Sequence, residues 1–317
     1  MDSSQVPEVS LEVPPYARVL KDGTIERLAG TQTVPAGLDP KTGVLSKDMV
    51  IFPQTGVSAR LYRPNITETD QKLPLIVYYH GGAFCIASAA EPLYHNCLNM
   101  LVAEAKAIAV SVNYRLAPEH PLPIAYEDSW AALQWVFGGE DRDEWVKDHV
   151  DFERVFLVGD SAGANIAHHL ALRVKQTDPD PKLKIAGIGL IHPYFWGKDP
   201  IGREVADSFR KSMVDTWWSF VCPSENEGDD PLINPFLDGA PSLDKLACGK
   251  VLVLVAGNDI LRDRGSLYYD ELVKSNWAGS KEFIETEGED HVFHIFNPNC
   301  EKAKSLIKDL SSFINQE

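Results

Sequence analysis

Apolar positions along the chain fall into two patterns. Five runs, Leu73–Tyr79, 107–112, 155–158, Ile185–Ile191 and 251–256, are apolar nearly throughout, as strands buried on both faces are. Helical candidates lie between and after them, at about 94–105, 126–136, 165–176 and 262–275, followed by a last strand near 282–285 and a closing helix at about 300–314. Strands alternating with helices in this way predict an α/β fold with a mostly parallel, doubly wound sheet. Ahead of them, 48–52 and 57–63 alternate apolar and polar residues about Pro53-Gln54-Thr55-Gly56, which predicts an antiparallel edge hairpin. Two stretches break the alternation. Residues 1–47 are rich in Pro, Gly and isolated charges and read as an irregular arm. Residues 194–241 are rich in Trp, Asp, Pro and Asn and interrupt the alternation, so they read as an insertion over the carboxyl ends of the strands. The expected organisation is one domain, 1–317, with a lid formed by about 1–47 and about 194–241.

Composition narrows the possible partners. Of 317 residues 44% are hydrophobic and 24% charged, which is ordinary for a soluble chain able to bury a large core. The net charge of −16 repels phosphate backbones and anionic lipid surfaces, so neither nucleic acid nor membrane is an expected partner. Residues 1–14 do not combine basic residues with an apolar core, and no apolar run approaches membrane-spanning length; a cytoplasmic location is the expectation. Cys85, Cys97, Cys222, Cys248 and Cys300 are scattered and odd in number, which points to reduced thiols with neither a disulfide framework nor a zinc site.

Candidate chemistry begins at Gly159-Asp160-Ser161-Ala162-Gly163, set between the apolar run 155–158 and the helical run 164–172. Strand, sharp turn and helix in that order would expose the Ser161 hydroxyl at a helix N-terminus, with glycines supplying the space. A serine hydroxyl needs a base to take its proton, and an imidazole base needs an acceptor to hold its tautomer. Asp259 follows the apolar run 251–256, and His291 stands in the loop after the last strand, so the order Ser161, Asp259, His291 supplies all three groups. Asp263 is the rival acid, but Arg264 beside it suggests a helix-start or ion-pair role. His294 lies in the aromatic run 292–296, where packing is the better reading, and His168 and His169 read as structural. His80-Gly81-Gly82-Ala83-Phe84 directly follows the run ending at Tyr79 and is the candidate oxyanion loop. Gly81, Gly82, Ala83 and Ala162 are its residues, with Gly82, Ala83 and Ala162 as N–H donors and Gly81 shaping the turn. Neither G-x-x-x-x-G-K-[ST] nor G-x-G-x-x-G occurs, so nucleotide binding is not expected. Arg115, Glu119 and Asp128 are expected to form one ion-pair network beneath the site. His291 and His294 lack further ligands at metal spacing, so neither metal nor cofactor is expected.

Taken together, His80-Gly81-Gly82-Ala83-Phe84, Tyr114-Arg115-Leu116-Ala117-Pro118-Glu119, Gly159-Asp160-Ser161-Ala162-Gly163-Ala164-Asn165 and Asp259-Ile260-Leu261-Arg262-Asp263-Arg264 resemble the motifs of the plant carboxylesterase family of the hormone-sensitive-lipase type. The resemblance runs from Pro14-Pro15-Tyr16 and Lys21-Asp22-Gly23 to the last helix, with Ala83 standing where the third glycine of H-G-G-G is usual. It implies an α/β-hydrolase fold, a Ser161-His291-Asp259 triad, no cofactor and a small-molecule ester as substrate. The family also includes 2-hydroxyisoflavanone dehydratases, indole-alkaloid cyclases and gibberellin receptors, so a lyase or cyclase and a non-catalytic receptor are the alternative expectations. The receptors resemble esterases that have lost the triad histidine, whereas His291 is present here. Phe84, Trp217 and Trp218 are candidates for an apolar substrate wall.

Overall fold

An eight-stranded sheet divides the molecule into two apolar layers and presents the carboxyl ends of its strands along one rim. The computed structural model describes residues 8–65, 72–138, 140–176, 183–223 and 229–316. In chain order the strands are β1 (Val9–Val13), β2 (Ala17–Leu20), β3 (Ile25–Arg27), β4 (Leu45–Phe52), β5 (Val57–Arg63), β6 (Leu73–Tyr79), β7 (Ile108–Asn113), β8 (Val150–Asp160), β9 (Ile185–Ile191), β10 (Cys248–Ala256) and β11 (Ser280–Thr286). The helices are α1 (Pro92–Ala105), α2 (Ile124–Gly138), α3 (Glu144–His149), α4 (Ala162–Gln176), α5 (Ser208–Val221), α6 (Arg262–Lys274), α7 (Phe293–Phe296) and α8 (Glu301–Asn315).

The large sheet has the order β11-β10-β9-β8-β6-β7-β5-β4. Its strands from β11 to β7 pair in parallel, and β5 and β4 close one edge as an antiparallel hairpin. Alternation along the central strand β6 shows how the two layers arise. Leu75, Val77 and Tyr79 join one buried cluster with residues of α2 and α4. Ile76 and Tyr78 join the other with residues of α1 and α8. In α8 the buried residues Ala303, Leu306, Ile307, Leu310 and Ile314 recur at helical spacing, so one face seals the sheet while lysines and glutamate face water. Among the described residues no helix is long and apolar enough to cross a membrane.

Three expectations need correction. The arm is irregular only in part: β1, β2 and β3 form a separate antiparallel sheet, and residues 28–44 carry neither helix nor strand. Its isolated charges pair between strands, Arg18 with Glu26 at 2.6 Å and Lys21 with Glu8 at 2.5 Å, and a cross-strand partner is invisible in a linear reading. Residues 1–7 of the arm and 224–228 of the insertion lie outside the described residues. The short helix α3 was not anticipated; the Asp143 carboxylate accepts from the Trp145 N–H at 2.8 Å and caps it. The expected network of Arg115, Glu119 and Asp128 is two separate pairs. Arg115 forks onto Asp128 at 2.7 and 2.8 Å, whereas Glu119 receives Arg27 of β3 at 2.6 and 2.7 Å. That second pair fastens the arm to the body.

The insertion is fastened by a buried ion pair. Arg264 at the start of α6 reaches Glu204 at 2.7 and 2.8 Å, and neither side chain is more than 5% exposed. Removing one member of such a pair strands the other charge away from water. Arg264→Met is therefore expected to lower the unfolding free energy by about 3–5 kcal/mol, and Asp263→Ala by much less, because Asp263 bonds to a half-exposed Arg262. Chemical denaturation of the two variants beside the parent checks the ranking, and equal losses would refute it.

Candidate active site

Three backbone atoms in unusual proximity hold the serine. Ser161 sits between β8 and α4 with φ of 52°, a left-handed conformation that a non-glycine residue adopts only when its surroundings enforce it. The turn leaves no room beside it. A Cβ on Gly163 would lie 1.8 Å from the Tyr79 carbonyl oxygen, and one on Gly159 would lie 2.3 Å from the Gly163 carbonyl carbon. The Ser161 N–H donates to the Ile191 carbonyl at 2.9 Å, and its own carbonyl accepts from the Tyr194 N–H at 3.0 Å.

Asp259 follows β10 and is 1% exposed. One of its carboxylate oxygens accepts from the Leu261 N–H at 2.9 Å, and the other from Nδ1–H of His291 at 2.6 Å. Nε2 of His291 lies 2.9 Å from the Ser161 Oγ, placed to accept the hydroxyl proton. Burial disfavours charge on this imidazole, but the Asp259 carboxylate outweighs it and holds the ring above its ordinary value. The structure thus brings together the three residues singled out from the sequence and leaves their rivals apart. Asp263 takes the Arg203 N–H at 2.7 Å and Arg262 at 2.8 Å. His294 is buried with both ring nitrogens unpartnered, its pKa pushed down to about 3 by burial. His168 meets the Tyr268 hydroxyl at 3.0 Å and His169 donates to the Leu232 carbonyl at 2.9 Å, both in structural contacts.

The loop after β6 carries a run of left-handed residues, Gly82, Ala83 and Phe84, with φ of 100°, 49° and 61°. Gly82 N–H, Ala83 N–H and Ala162 N–H have no acceptor among the described residues. Gly81 offers no free N–H, as suits a residue that shapes the turn rather than one of the three donors. Its N–H is spent on the Tyr94 hydroxyl at 2.9 Å and on Asp160 at 3.2 Å, and a Cβ there would stand 2.4 Å from the Asp160 carboxylate. Asp160 also accepts from the Tyr78 and Tyr94 hydroxyls, each at 2.8 Å. Burial raises its pKa to about 6, with those two hydroxyls working the other way. A buried acid thus anchors the loop from behind.

Above the serine lies a cavity of about 450 Å³. Pro15 and Tyr16 of the arm, Met213, Val214 and Trp217 of α5, and Ile295 and Phe296 of α7 supply its apolar walls. Trp217 stacks obliquely on Tyr16 with ring centres 4.9 Å apart, and its Nε1–H donates to the Pro14 carbonyl at 3.1 Å, so arm and insertion meet over the serine. Phe84 and Trp218 are not part of this wall. Both are buried, with ring centres 6.4 Å apart, and pack on Tyr194 in the core beneath. On α5 neighbouring residues point about 100° apart, so only Trp217 of the tryptophan pair reaches the cavity.

Residues 76–295 match the family described by its alpha/beta hydrolase fold. The chain belongs to that family. It is 58% identical over 309 residues to the probable carboxylesterase 2 of Arabidopsis thaliana, covering 98% of this chain and 97% of that protein. To the 2-hydroxyisoflavanone dehydratase of Glycyrrhiza echinata it is 46% identical over 316 residues, covering 97% and 96%. Among solved structures, a thermophilic carboxylesterase cloned from a metagenomic library superposes with a TM-score of 0.71 at 28% identity, covering 90% of each chain. The esterase of Pyrobaculum calidifontis gives 0.72 at 28% identity, covering 85% and 84%. The protein is a hydrolase of the carboxylesterase type.

Sequence reasoning missed several residues of this hydrolase's site. His192 follows β9 with φ of 46°, and its Nδ1 accepts from the Val292 N–H at 2.8 Å beside the His291 ring. Its position after an apolar strand is the same signal that picked out Asp259. Ligand atoms of His192, Asp259 and His291 lie within 4.8 Å of one another, yet Asp259 and His291 spend theirs on each other, and His192 bonds to neither of them. Tyr94 and Arg210 also line the cavity, and nothing in their local sequence sets them apart. Because Tyr94 bridges Gly81 and Asp160, Tyr94→Phe is expected to lower kcat/KM of this hydrolase about tenfold and stability by about 1–2 kcal/mol. Steady-state kinetics with thermal unfolding checks this, and unchanged kinetics would remove Tyr94 from the support of the loop.

Proposed function

We propose that the chain hydrolyses small, uncharged carboxylic esters through a covalent acyl-enzyme, with Ser161 as nucleophile, His291 as base and Asp259 as its orienting acid. The observation that carries this reading is the continuous Ser161–His291–Asp259 relay, with contacts of 2.9 and 2.6 Å, lining one cavity with Gly82 and Ala83, whose N–H groups, like that of Ala162, have no acceptor among the described residues. As the Ser161 oxygen attacks the acyl carbon, its proton passes to Nε2 of His291, and the imidazolium is stabilised by Asp259. The N–H groups of Gly82, Ala83 and Ala162 meet the charge developing on the carbonyl oxygen, each worth about 3 kcal/mol of transition-state stabilisation. Return of the proton to the alcohol oxygen releases it, and water repeats the sequence to free the acid.

The cavity supports the substrate class. Its charged lining residues are Glu91, Asp160, Asp259, Asp290 and Arg210, and Arg210 is already paired with Asp290 at 2.6 Å. An anionic substrate would meet an excess of negative charge, whereas a neutral ester meets apolar walls. In this reading the arm before residue 48 and the segment 194–241 act as the lid of a single domain, since Tyr16 and Trp217 contribute its two sides. A second reading, elimination or cyclisation on a plant metabolite with His291 as the base, is favoured by the 46% identity to a dehydratase.

Hydrolysis of a short-chain p-nitrophenyl ester is expected from the parent, with losses of at least about a thousandfold in Ser161→Ala and His291→Ala. Turnover that survives Ser161→Ala but vanishes in His291→Ala would mean that His291 activates water directly and would remove the acyl-enzyme from the proposal. A catalytic imidazole must be neutral to act as base, and its pKa is held above the ordinary 6.5. Activity should therefore be full at alkaline pH and fall on acidification, with the midpoint above 6.5 in a pH profile of kcat/KM. A midpoint below that value would contradict the pairing with Asp259.

A further inference from the structure

We infer that Arg210 of α5 is a positioning residue for His291, joining the loop before the acid and the loop before the histidine to a single guanidinium on the lid segment. This rests on the Ser161–His291–Asp259 reading and goes beyond it, because it makes the geometry of the relay depend on where α5 lies. Arg210 Nη1 donates to the Asn258 carbonyl at 2.9 Å, and Nη2 to the Asp290 carboxylate at 2.6 Å. Asn258 immediately precedes Asp259, and Asp290 immediately precedes His291. The other oxygen of Asp290 accepts the His291 backbone N–H at 2.7 Å. The two loops are also tied to each other, with Asn258 N–H donating to the Glu289 carbonyl at 2.7 Å and its side-chain amide to the Gly288 carbonyl at 3.0 Å. At the start of α5 the Asp207 carboxylate accepts the Arg210 backbone N–H at 2.9 Å and stands 3.7 Å from the guanidinium. The cation is therefore held from its own helix while it grips both loops.

Charge gives the contact a second effect. The groups facing the His291 ring are Asp259, Asp160 and Asp290, which favour its protonation, and His192 and His294, which burial keeps neutral. Arg210 is the sole lysine or arginine among the cavity-lining residues described, and it faces Asp290 directly. It thus cancels one of three carboxylates that would otherwise hold a proton on the base. Displacing α5 would both slacken the two loops and uncover that carboxylate.

The test measures the acid limb of kcat/KM on a p-nitrophenyl ester for the parent, Arg210→Met, Arg210→Lys, Asp290→Asn and the Arg210→Met/Asp290→Asn pair. Arg210→Met should lower kcat about tenfold to a hundredfold with KM within about twofold, the pattern of misplaced catalytic groups. Its acid limb should rise by about half a pH unit, and that of Asp290→Asn should fall by a similar amount. The double variant should return to the parent limb while its kcat stays low. Lysine at 210 keeps the charge but cannot span both partners, so it should restore the limb and only part of kcat. High salt should shrink the limb shifts and leave the kcat losses. Limbs that stay put in both single variants, or losses that track only the fraction of folded protein, would overturn the inference. If Arg210→Met does not fold, Arg210→Lys and Asp290→Asn still decide it. NMR titration of the His291 ring in the same variants reads the imidazole directly. Failure of the relay reading, seen as turnover surviving in Ser161→Ala, is therefore a separate result from an unmoved His291 titration.

Discussion

The contact between the Gly163 backbone and the Tyr79 carbonyl is the constraint on which the site depends. Only a residue without a side chain allows α4 to start so close to the end of β6, since a Cβ would fall 1.8 Å from that oxygen. The approach forces the reversal at Ser161 into its left-handed conformation, at a strain of about 1–3 kcal/mol. The Ser161 turn and the glycine loop therefore share one origin: two neighbouring parallel strands, β6 and β8, end at the same level. Burial of β6 between two apolar layers keeps them there.

Around this centre the chemistry is distributed by sign. Acids line the cavity, where Asp160 braces the loop after β6 through the Gly81 N–H and Asp259 accepts Nδ1–H of His291. Cations are used as fasteners: Arg27 ties the arm to Glu119, Arg264 ties the insertion to Glu204, and Arg210 ties α5 to the loops of the relay. The two kinds of charge serve different ends. A buried carboxylate with several donors holds a backbone loop rigid, whereas an arginine fork spans elements that come from distant parts of the chain.

Much of this was legible in the sequence because it is local. Five apolar runs became five parallel strands, and Ser161, Asp259 and His291 each stood in the loop that follows a strand, where the topology makes them meet. What could not be read depends on partners far away in the chain. The spending of the Gly81 N–H on Tyr94 and Asp160 joins residues 13 and 79 positions apart. Phe84 and Trp218 looked like a substrate wall because large aromatic residues near a candidate site suit either a pocket or a core, and only their packing on Tyr194, distant in the chain, decides between them. The arm looked irregular since its charges neutralise one another across strands. Arg210 carries no local mark at all.

The clasp between the arm and α5 bears on how the protein is made. The Trp217 to Pro14 bond joins residues 203 positions apart, Arg27 to Glu119 spans 92, and Arg210 to Asp290 spans 80. The arm cannot close against α5 until the chain between them has been made, and contacts of such long range are the slow ones to form. The turn bearing Ser161 is complete well before the loop bearing His291 has emerged. A nascent chain thus carries the Ser161 turn before its His291 partner, 130 residues further on, has been made.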